Sequence, residues 1–137
     1  MSERTIWAVL TDGRYIRILI NQSPGNTLLT LKADDSTDLA ELCYQVVTGI
    51  PVGSKNGTES RTKSNMRLLA DFLEKQLNNN LFNQLILIAP IATLTELQNE
   101  LSDSVNQTVI AKIEADYLAN SIDEIEQYLD SYLSKVA

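Results

Sequence analysis

The chain has 137 residues, of which 44% are hydrophobic and 21% charged, and this composition is typical of a globular domain with its own core. Its net charge of −7 argues against binding of polyanions over the whole surface, because such binding needs clustered Lys and Arg. Histidine is absent, which excludes Ser-His-Asp and Cys-His catalysis on this chain. The single cysteine, Cys43, excludes an internal disulfide.

The first residues and the hydropathy pattern indicate a cytoplasmic location. Met1-Ser2-Glu3-Arg4 lacks the basic and then apolar order of a signal peptide, and no apolar run approaches the length of a membrane span. We therefore expect no membrane insertion. Without an internal repeat or a shift in composition, residues 1–137 are predicted to form a single α/β domain.

The first third of the chain predicts an antiparallel meander. Ile6–Thr11 and residues 14–21 flank Asp12-Gly13, a pair typical of a two-residue hairpin turn. Residues 28–33 predict a third strand. Ser36-Thr37-Asp38 then resembles a helix start, although β-forming residues leave a strand at 45–48 as the alternative. Apolar residues with helical spacing favour the helix, and they include Cys43 as a small core residue: Leu39, Leu42, Cys43 and Val46.

Residues 49–64 contain three glycines, one proline and several small polar residues, which predicts a flexible loop. The next helix is predicted to end at Asn78-Asn79-Asn80. It has one apolar stripe: Met66, Leu69, Ala70, Leu73 and Leu77.

Residues 85–89 are apolar at every position, which predicts the middle strand of a sheet with helices on both faces. Pro90 is expected to end this strand because it has no amide hydrogen to donate. Thr93-Leu94-Thr95-Glu96 resembles a capping box, and the helix that it would open has an apolar stripe: Leu94, Leu97 and Leu101.

Alternating residues from 109 to 115 predict a fifth strand, with Lys112 and Glu114 on its polar face. Ser121-Ile122-Asp123-Glu124 predicts a second capping box, followed by a helix with an apolar stripe: Ile125, Tyr128, Leu129, Tyr132 and Leu133. Two strands joined through a helix lie parallel. The predicted fold is thus a mixed five-stranded sheet, with an antiparallel meander and then parallel strands, flanked by helices.

Local charge gives the strongest functional indication. Residues 53–67 sum to +3, whereas the rest of the chain sums to −10. A basic loop that leads into a helix start can bind phosphates through side chains and backbone amides. The candidate anion-binding or RNA-binding residues are Lys55, Arg61, Lys63 and Arg67. The alternative is a solvated loop without a ligand, and the glycines match neither a Walker A loop nor GxGxxG.

Acidic residues near the predicted strand ends suggest a divalent metal site. For Asp34, Asp35 and Asp38, a turn and a helix start explain the acidic residues more simply, as a turn does for Asp12. Glu114 and Asp116 lie at the end of the fifth strand, where ligands of parallel sheets often bind, but two carboxylates alone carry little weight. We therefore predict no metal, no cofactor and no catalytic residue.

Two aromatic residues, Trp7 and Tyr15, are candidates for stacking on a nucleic-acid base. Both occur in or beside the first two predicted strands. Aromatic side chains of a sheet stack on the unpaired bases of RNA in several RNA-binding domains. Packing in the core or at a sheet edge is the alternative explanation for both residues.

Several segments resemble the bacterial family of host attachment proteins ("protein required for attachment to host cells"). The resemblance extends over nearly the whole chain, and the apolar segment ending in Ala89-Pro90 and the Glu114-x-Asp116-x-Leu118 segment contribute most to it. Other matching segments are Trp7-Ala8-Val9-Leu10, residues 12–18, Phe72-Leu73 and residues 109–113. The resemblance implies a role in bacterial attachment to hosts and no known reaction.

That family is similar in fold to the middle domain of archaeal and eukaryotic peptide-chain release factors, an RNase-H-like arrangement with a long loop before the helix that precedes the central strand. In release factors this loop carries Gly-Gly-Gln. Here it contains Gly53-Ser54-Lys55 and Gly57-Thr58-Glu59, without a glutamine after a glycine pair. The family's usual histidine-containing stretch is also absent.

Three functions follow from these patterns. The first is a non-enzymatic binding domain of the host attachment family with an unknown protein partner. The second is a release-factor-like module that contacts ribosomal RNA or tRNA through the basic loop. The third is an RNase-H-like metal-dependent nuclease, which we rank lowest because no quartet of carboxylates is evident. An open edge strand would permit a weak homodimer, and otherwise a monomer is expected.

Overall fold

The computed structural model describes residues 5–21, 31–33, 37–48, 61–116 and 118–136. These residues form, in chain order, β1 (Ile6–Thr11), β2 (Ile16–Asn21), β3 (Leu31–Ala33), α1 (Thr37–Thr48), α2 (Arg61–Asn78), β4 (Gln84–Ala89), α3 (Ile91–Glu100), α4 (Asp103–Asn106), β5 (Val109–Glu114) and α5 (Ile122–Val136). Within these ranges, every helix is too short or too polar to cross a membrane.

The strands form one mixed sheet with the order β3-β2-β1-β4-β5. β2 is antiparallel to both β1 and β3, whereas β1, β4 and β5 are parallel to one another. The predicted mixed α/β architecture is therefore confirmed. Of the predicted third strand, residues 28–33, the described part is β3, Leu31–Ala33, and residues 28–30 lie outside the described residues. Four strands of six residues form the body of the sheet, and β3 lies at one edge.

The sequence predicted that residues 85–89 form the middle strand of the sheet, but β1 occupies that position. Leu85, Ile86, Leu87, Ile88 and Ala89 are each at most 1% exposed, so their burial on both faces is as expected. All six residues of β1 are also buried, however. An uninterrupted apolar run indicates burial on both faces but does not show which of two such strands is central.

Each face of the sheet packs against its own helices. On one face, the apolar stripes of α1, α2 and α3 form the larger core cluster. At its base the Trp7 ring lies 5.0 Å from that of Phe82 and 6.4 Å from that of Phe72, measured between centroids. On the other face, Ile125 and Leu129 of α5 pack against residues from β1, β2, β4 and β5. The predicted stripes of α2 and α3 are thus confirmed, and α1 is a helix rather than a strand. For α5 the inward positions Ile125, Tyr128 and Leu129 are confirmed, whereas the side chains of Tyr132 and Leu133 lie outside the described residues.

The turn between β1 and β2 is longer than predicted. Thr11 pairs with Ile16, so four residues connect the strands instead of two. One carboxylate oxygen of Asp12, Oδ1, accepts hydrogen bonds from the backbone N–H groups of Arg14 and Tyr15, both at 2.9 Å. A type I′ turn needs two residues with positive φ, and in this turn only Gly13 has one, at 94°. Asp12 therefore directs Arg14 and Tyr15 out of the strand ladder.

The end of α2 agrees with the sequence prediction, and the start of α3 does not. α2 ends in a Schellman motif with Asn80 at φ 63°, where the Leu81 N–H donates to Gln76 O and the Asn80 N–H to Leu77 O. α3 begins at Ile91, directly after Pro90, so the predicted capping box at Thr93 is wrong. Proline at the N-cap position starts this helix, and Thr93 is buried one turn later.

The predicted capping box of α5 is confirmed. The Ser121 hydroxyl accepts a hydrogen bond from the Glu124 N–H at 3.2 Å, and Glu124 Oε1 accepts one from the Ser121 N–H at 3.0 Å. The Asn120 amide donates to the same carboxylate oxygen at 3.3 Å. The hydrogen bonds from the Ser121 backbone and the Asn120 side chain lower the pKa of Glu124 below its ordinary value.

Candidate functional site

A cleft of about 500 Å³ lies beside the carboxyl ends of β1 and β5. One wall is the β1–β2 turn with the start of β2, and it contributes Asp12, Arg14, Tyr15, Ile16 and Arg17. The other wall contains Cys43 of α1 and the segment after β5, with Asp116, Leu118 and Ala119. We call this feature the edge cleft. The carboxyl ends of parallel strands are the usual ligand-binding side of an open α/β sheet.

The two walls of the edge cleft are joined by Arg17. The Nη1 atom of its guanidinium donates hydrogen bonds to the backbone oxygens of Leu118 at 2.9 Å and Asn120 at 2.8 Å. These bonds fix the segment that leads from β5 to α5 against the start of β2. A partly buried, charged donor with two backbone acceptors holds the cleft in a preformed shape.

The β1–β2 turn is held from the opposite side by two helices. The Asn65 amide of α2, only 4% exposed, donates to Gly13 O at 2.7 Å. The Thr93 hydroxyl of α3 donates to Asp12 O at 3.3 Å. These bonds satisfy carbonyl groups that the strand ladder leaves without a partner, and they place the first turns of α2 and α3 at the edge of the sheet that carries the cleft.

The two candidate stacking residues have different environments. Trp7 is 3% exposed and packs among Phe72 and Phe82, so it belongs to the core. Tyr15 lines the edge cleft and is 50% exposed. The Arg14 guanidinium carbon lies 5.6 Å from the centroid of the Tyr15 ring. Tyr15 is thus an aromatic surface with an adjacent cation.

Two of the candidate carboxylates come together at the cleft. Asp12 and Asp116 both line it, and Asp116 Oδ1 accepts a hydrogen bond from the Leu118 N–H at 3.4 Å. Asp34 and Asp35 lie outside the described residues. In the part of the chain that the structure describes, no three His, Cys, Asp or Glu residues are grouped so that they could hold a metal ion.

The Cys43 thiol, half-buried, donates to Ile16 O at 3.6 Å.

The predicted basic loop is shorter than 49–64, because α2 already begins at Arg61. Arg61 and Lys63 are therefore helical residues, and Lys55 lies outside the described residues. The content of glycine and small polar residues, from which the loop was predicted, did not indicate where α2 begins. Ser, Thr and Asn are tolerated within a helix whose other face is buried. We use the term basic segment for residues 53–67.

Arg67 is engaged by α3. Its Nε atom lies 3.3 Å from Glu100 Oε1, and its side chain is 51% exposed. An exposed ion pair of this kind stabilises a protein by about 0–1 kcal/mol, so it aligns α2 with α3 only weakly. Arg67 is thus part of the contact between two helices, whereas Lys63, one turn earlier on the same side of α2, is half-buried without such an ion pair among the described residues.

The first turn of α2 contains no acidic residue, and two of its positions are Arg61 and Lys63. Cations at a helix N-terminus are disfavoured by about 0.3–1 kcal/mol each, because the first backbone N–H groups carry partial positive charge. Arg61 precedes Asn65 by one helical turn, which places this helix start next to the β1–β2 turn. The helix start with these two positions thus lies at the same edge of the sheet as the cleft.

Comparison with protein families identifies the class of this domain. Residues 50–129, more than half of the chain, match the model of bacterial archaeo-eukaryotic release factor family 12. The chain belongs to this family. No curated protein matches the sequence. Membership in this release factor family confirms the release-factor-like part of the predicted resemblance, whereas host attachment stays a prediction.

In this member of release factor family 12, the matched residues cover only part of the candidate site. They include all of the basic segment, and the Asp116–Ala119 wall of the edge cleft. The β1–β2 turn precedes the match. Sequence analysis had named the basic segment, and it had considered Asp12, Tyr15 and Asp116 without connecting them to one another, but it missed Arg14 and Arg17. Both lie in the predicted second strand, residues 14–21, and this local pattern gives no indication of a contact about a hundred residues away.

Proposed function

We propose that this protein is a release-factor-like module that contacts ribosomal RNA or tRNA through its basic segment. The observation that carries the proposal is the family match over residues 50–129, which spans the whole segment. The proposal concerns binding. The segment has no glutamine after a pair of glycines, and peptidyl-tRNA hydrolysis is not part of it.

Charge supports RNA as the partner. The basic segment has a local charge of +3 in a chain of net charge −7. The acidic remainder repels a polyanion, so an RNA approaching the protein is oriented toward the basic segment. Discrete local contacts, rather than coverage of the whole surface, are the expected mode.

The start of α2 supplies a second kind of phosphate contact. Its first backbone N–H groups have no acceptor within the helix, and the sequence has Arg61 and Lys63 in the first turn, where acidic residues usually offset this positive end. A phosphate group at this position would pair with both the amides and the cations. We therefore assign the main contacts to Lys55, Arg61 and Lys63, and a smaller one to Arg67, which pairs with Glu100.

The proposal is tested by the salt dependence of binding to bulk tRNA and to ribosomal RNA. For single strands and duplexes the logarithm of the binding constant falls with that of the salt concentration, by about 0.7–0.9 per phosphate contact. We expect the double variant Arg61→Ala/Lys63→Ala to reduce this slope by about two units. The matched control is Lys75→Ala/Lys112→Ala, which removes the same charge from exposed positions outside the basic segment.

The control variant should retain the slope of the unaltered protein. Equal losses in the two double variants would reduce the effect to net charge and overturn the assignment to the basic segment. Absent or salt-insensitive binding of both RNAs would overturn the proposed function itself. Measurements at three or more salt concentrations separate these outcomes, because a single binding constant contains no slope.

A further inference from the structure

We propose that the edge cleft binds one unstacked nucleotide of the RNA, whose base carries an exocyclic amino group and packs on Tyr15. This inference rests on the proposed function, since it assigns a second subsite of the same RNA contact. It concerns residues outside the basic segment. One wall of the cleft, the β1–β2 turn, also lies outside the stretch that matches the family.

The edge cleft has the size and the rigidity of a ligand site. Its volume of about 500 Å³ is within the range of small-molecule pockets, roughly 300–1,000 Å³. Arg17 fixes the wall at Leu118, and the Asn65 amide fixes the wall at Gly13. A ligand thus enters a site that exists before binding, so little ordering of the protein opposes it.

The lining contains groups suited to the base and to the phosphate of a nucleotide. Ile16, Leu118 and Ala119 supply apolar surface for the flat face of a base, and Tyr15, half exposed at the cleft, supplies an aromatic ring for stacking. The Arg14 guanidinium beside this ring can pair with the phosphate attached to a base that stacks there. Trp7 is buried and does not take part.

The carboxylates of Asp12 and Asp116 determine which base fits. Asp12 uses Oδ1 for two backbone N–H groups, and among the described residues no donor reaches its Oδ2. Carboxylate oxygens accept hydrogen bonds from the amino groups of cytosine, adenine and guanine. Uracil has no amino group: its N3–H lies between two carbonyl oxygens, and these oxygens would be repelled by the negative charges. The negative charge also excludes the phosphate from this part of the cleft and leaves it near Arg14.

Mononucleotides isolate this subsite from the basic segment. Titrations of CMP, AMP, GMP and UMP, followed by NMR chemical shifts, should show binding at the cleft with UMP weaker by about tenfold, the size of one lost hydrogen bond to a charged group. Tyr15→Ala should weaken CMP binding by about tenfold, and Tyr15→Phe should retain it, because stacking needs only the ring. Asp116→Asn should remove the discrimination against UMP.

Tyr44→Ala is the matched control, since Tyr44 is 64% exposed and does not line the cleft. This variant should bind CMP like the unaltered protein, and thermal melting of all variants verifies that they are folded. Absence of CMP binding, or equal binding of all four nucleotides that Tyr15→Ala leaves unchanged, would overturn the inference.

The same titrations with a short single-stranded oligonucleotide distinguish an RNA nucleotide from a free one. Arg61→Ala/Lys63→Ala should leave CMP binding unchanged and weaken tRNA binding. Loss of CMP binding alone, with the salt slope for tRNA intact, would remove the cleft subsite and keep the proposed function. Binding of CMP without binding of tRNA or the oligonucleotide would overturn RNA as the source of the nucleotide and the proposed function together.

Discussion

The two ends of the sheet differ in how their strand termini are covered. At the amino ends of β1 and β4, Trp7 packs on Phe82, and the Asn83 side chain accepts the Thr5 N–H at 2.9 Å. At the carboxyl ends, polar side chains bind backbone carbonyls from a distance in the sequence: Asn65, Thr93 and Arg17. The first end is closed by apolar packing, and the second is held open by hydrogen bonds. Apolar packing thus closes one end of the sheet, and the edge cleft lies at the other.

The largest effect is expected at the closed end. Phe82→Ala removes a ring that is 2% exposed and packs against Trp7, and we expect it to lower the free energy of unfolding by about 3–5 kcal/mol. Urea unfolding followed by far-UV circular dichroism measures this loss. The control is Ile91→Ala at the open end, 55% exposed, which should change stability by less than about 0.5 kcal/mol. Similar losses for the two variants would contradict the comparison.

Arg17→Ala is predicted to have the next largest effect. It removes a charged donor from the carbonyls of Leu118 and Asn120 and should cost about 1.5–3 kcal/mol. Hydrogen exchange should show the loss locally, as reduced protection around residues 118–121. Arg14→Ala, an exposed arginine of the same cleft, should be nearly neutral for stability. An Arg17→Ala protein with unchanged exchange in this segment would show that Arg17 does not hold the wall.

Asn65 and Thr93 permit a finer test, because both hold the β1–β2 turn. Asn65→Ala should cost about 1–2 kcal/mol and Thr93→Val about 0.5–1.5 kcal/mol, since each removes one hydrogen bond to a carbonyl of the turn. If the turn is one cooperative unit, the double variant should lose less than the sum of the two. Strict additivity in thermal or urea unfolding would mean that the two bonds act independently.

The smallest predicted effect is the pH dependence of the α5 cap. The pKa of Glu124 is lowered in the folded state, so its ionised form is favoured there relative to the unfolded chain. Its contribution is therefore present above the unfolded pKa and is lost as pH falls through the folded pKa. Between neutral pH and about pH 4, Glu124→Gln should lose less stability than the unaltered protein. Parallel curves for the two proteins would exclude this role.

Those elements that the sequence predicted correctly depend on local patterns. The stripes of α2 and α3, the strand at 85–89, the Asn80 helix end and the Ser121 cap all follow from residues within a few positions of one another. The central position of β1 and the walls of the edge cleft do not follow from such local patterns. Arg17 and Leu118 are separated by 101 positions, and no periodicity connects them. The four-residue turn was missed because Asp12 acts through its side chain, which a two-residue motif does not represent.

The basic segment shows the same limit for the candidate site. Its charge is a property of composition, and the sequence was sufficient to identify it. Which of its cations are engaged depends on α3, since Glu100 pairs with Arg67 across 33 positions. Tyr15 could be named as a stacking residue but not distinguished from Trp7, because exposure is decided by packing against Phe72 and Phe82.

The bond between Arg17 and Leu118 also has a consequence during synthesis. Translation delivers one wall of the cleft about a hundred residues before the other. A nascent chain that ends before Asp116 contains Tyr15 and the entire basic segment but lacks the second wall of the cleft. If the edge cleft binds a nucleotide as proposed, premature termination products would retain charge-driven attraction to RNA while lacking base selectivity.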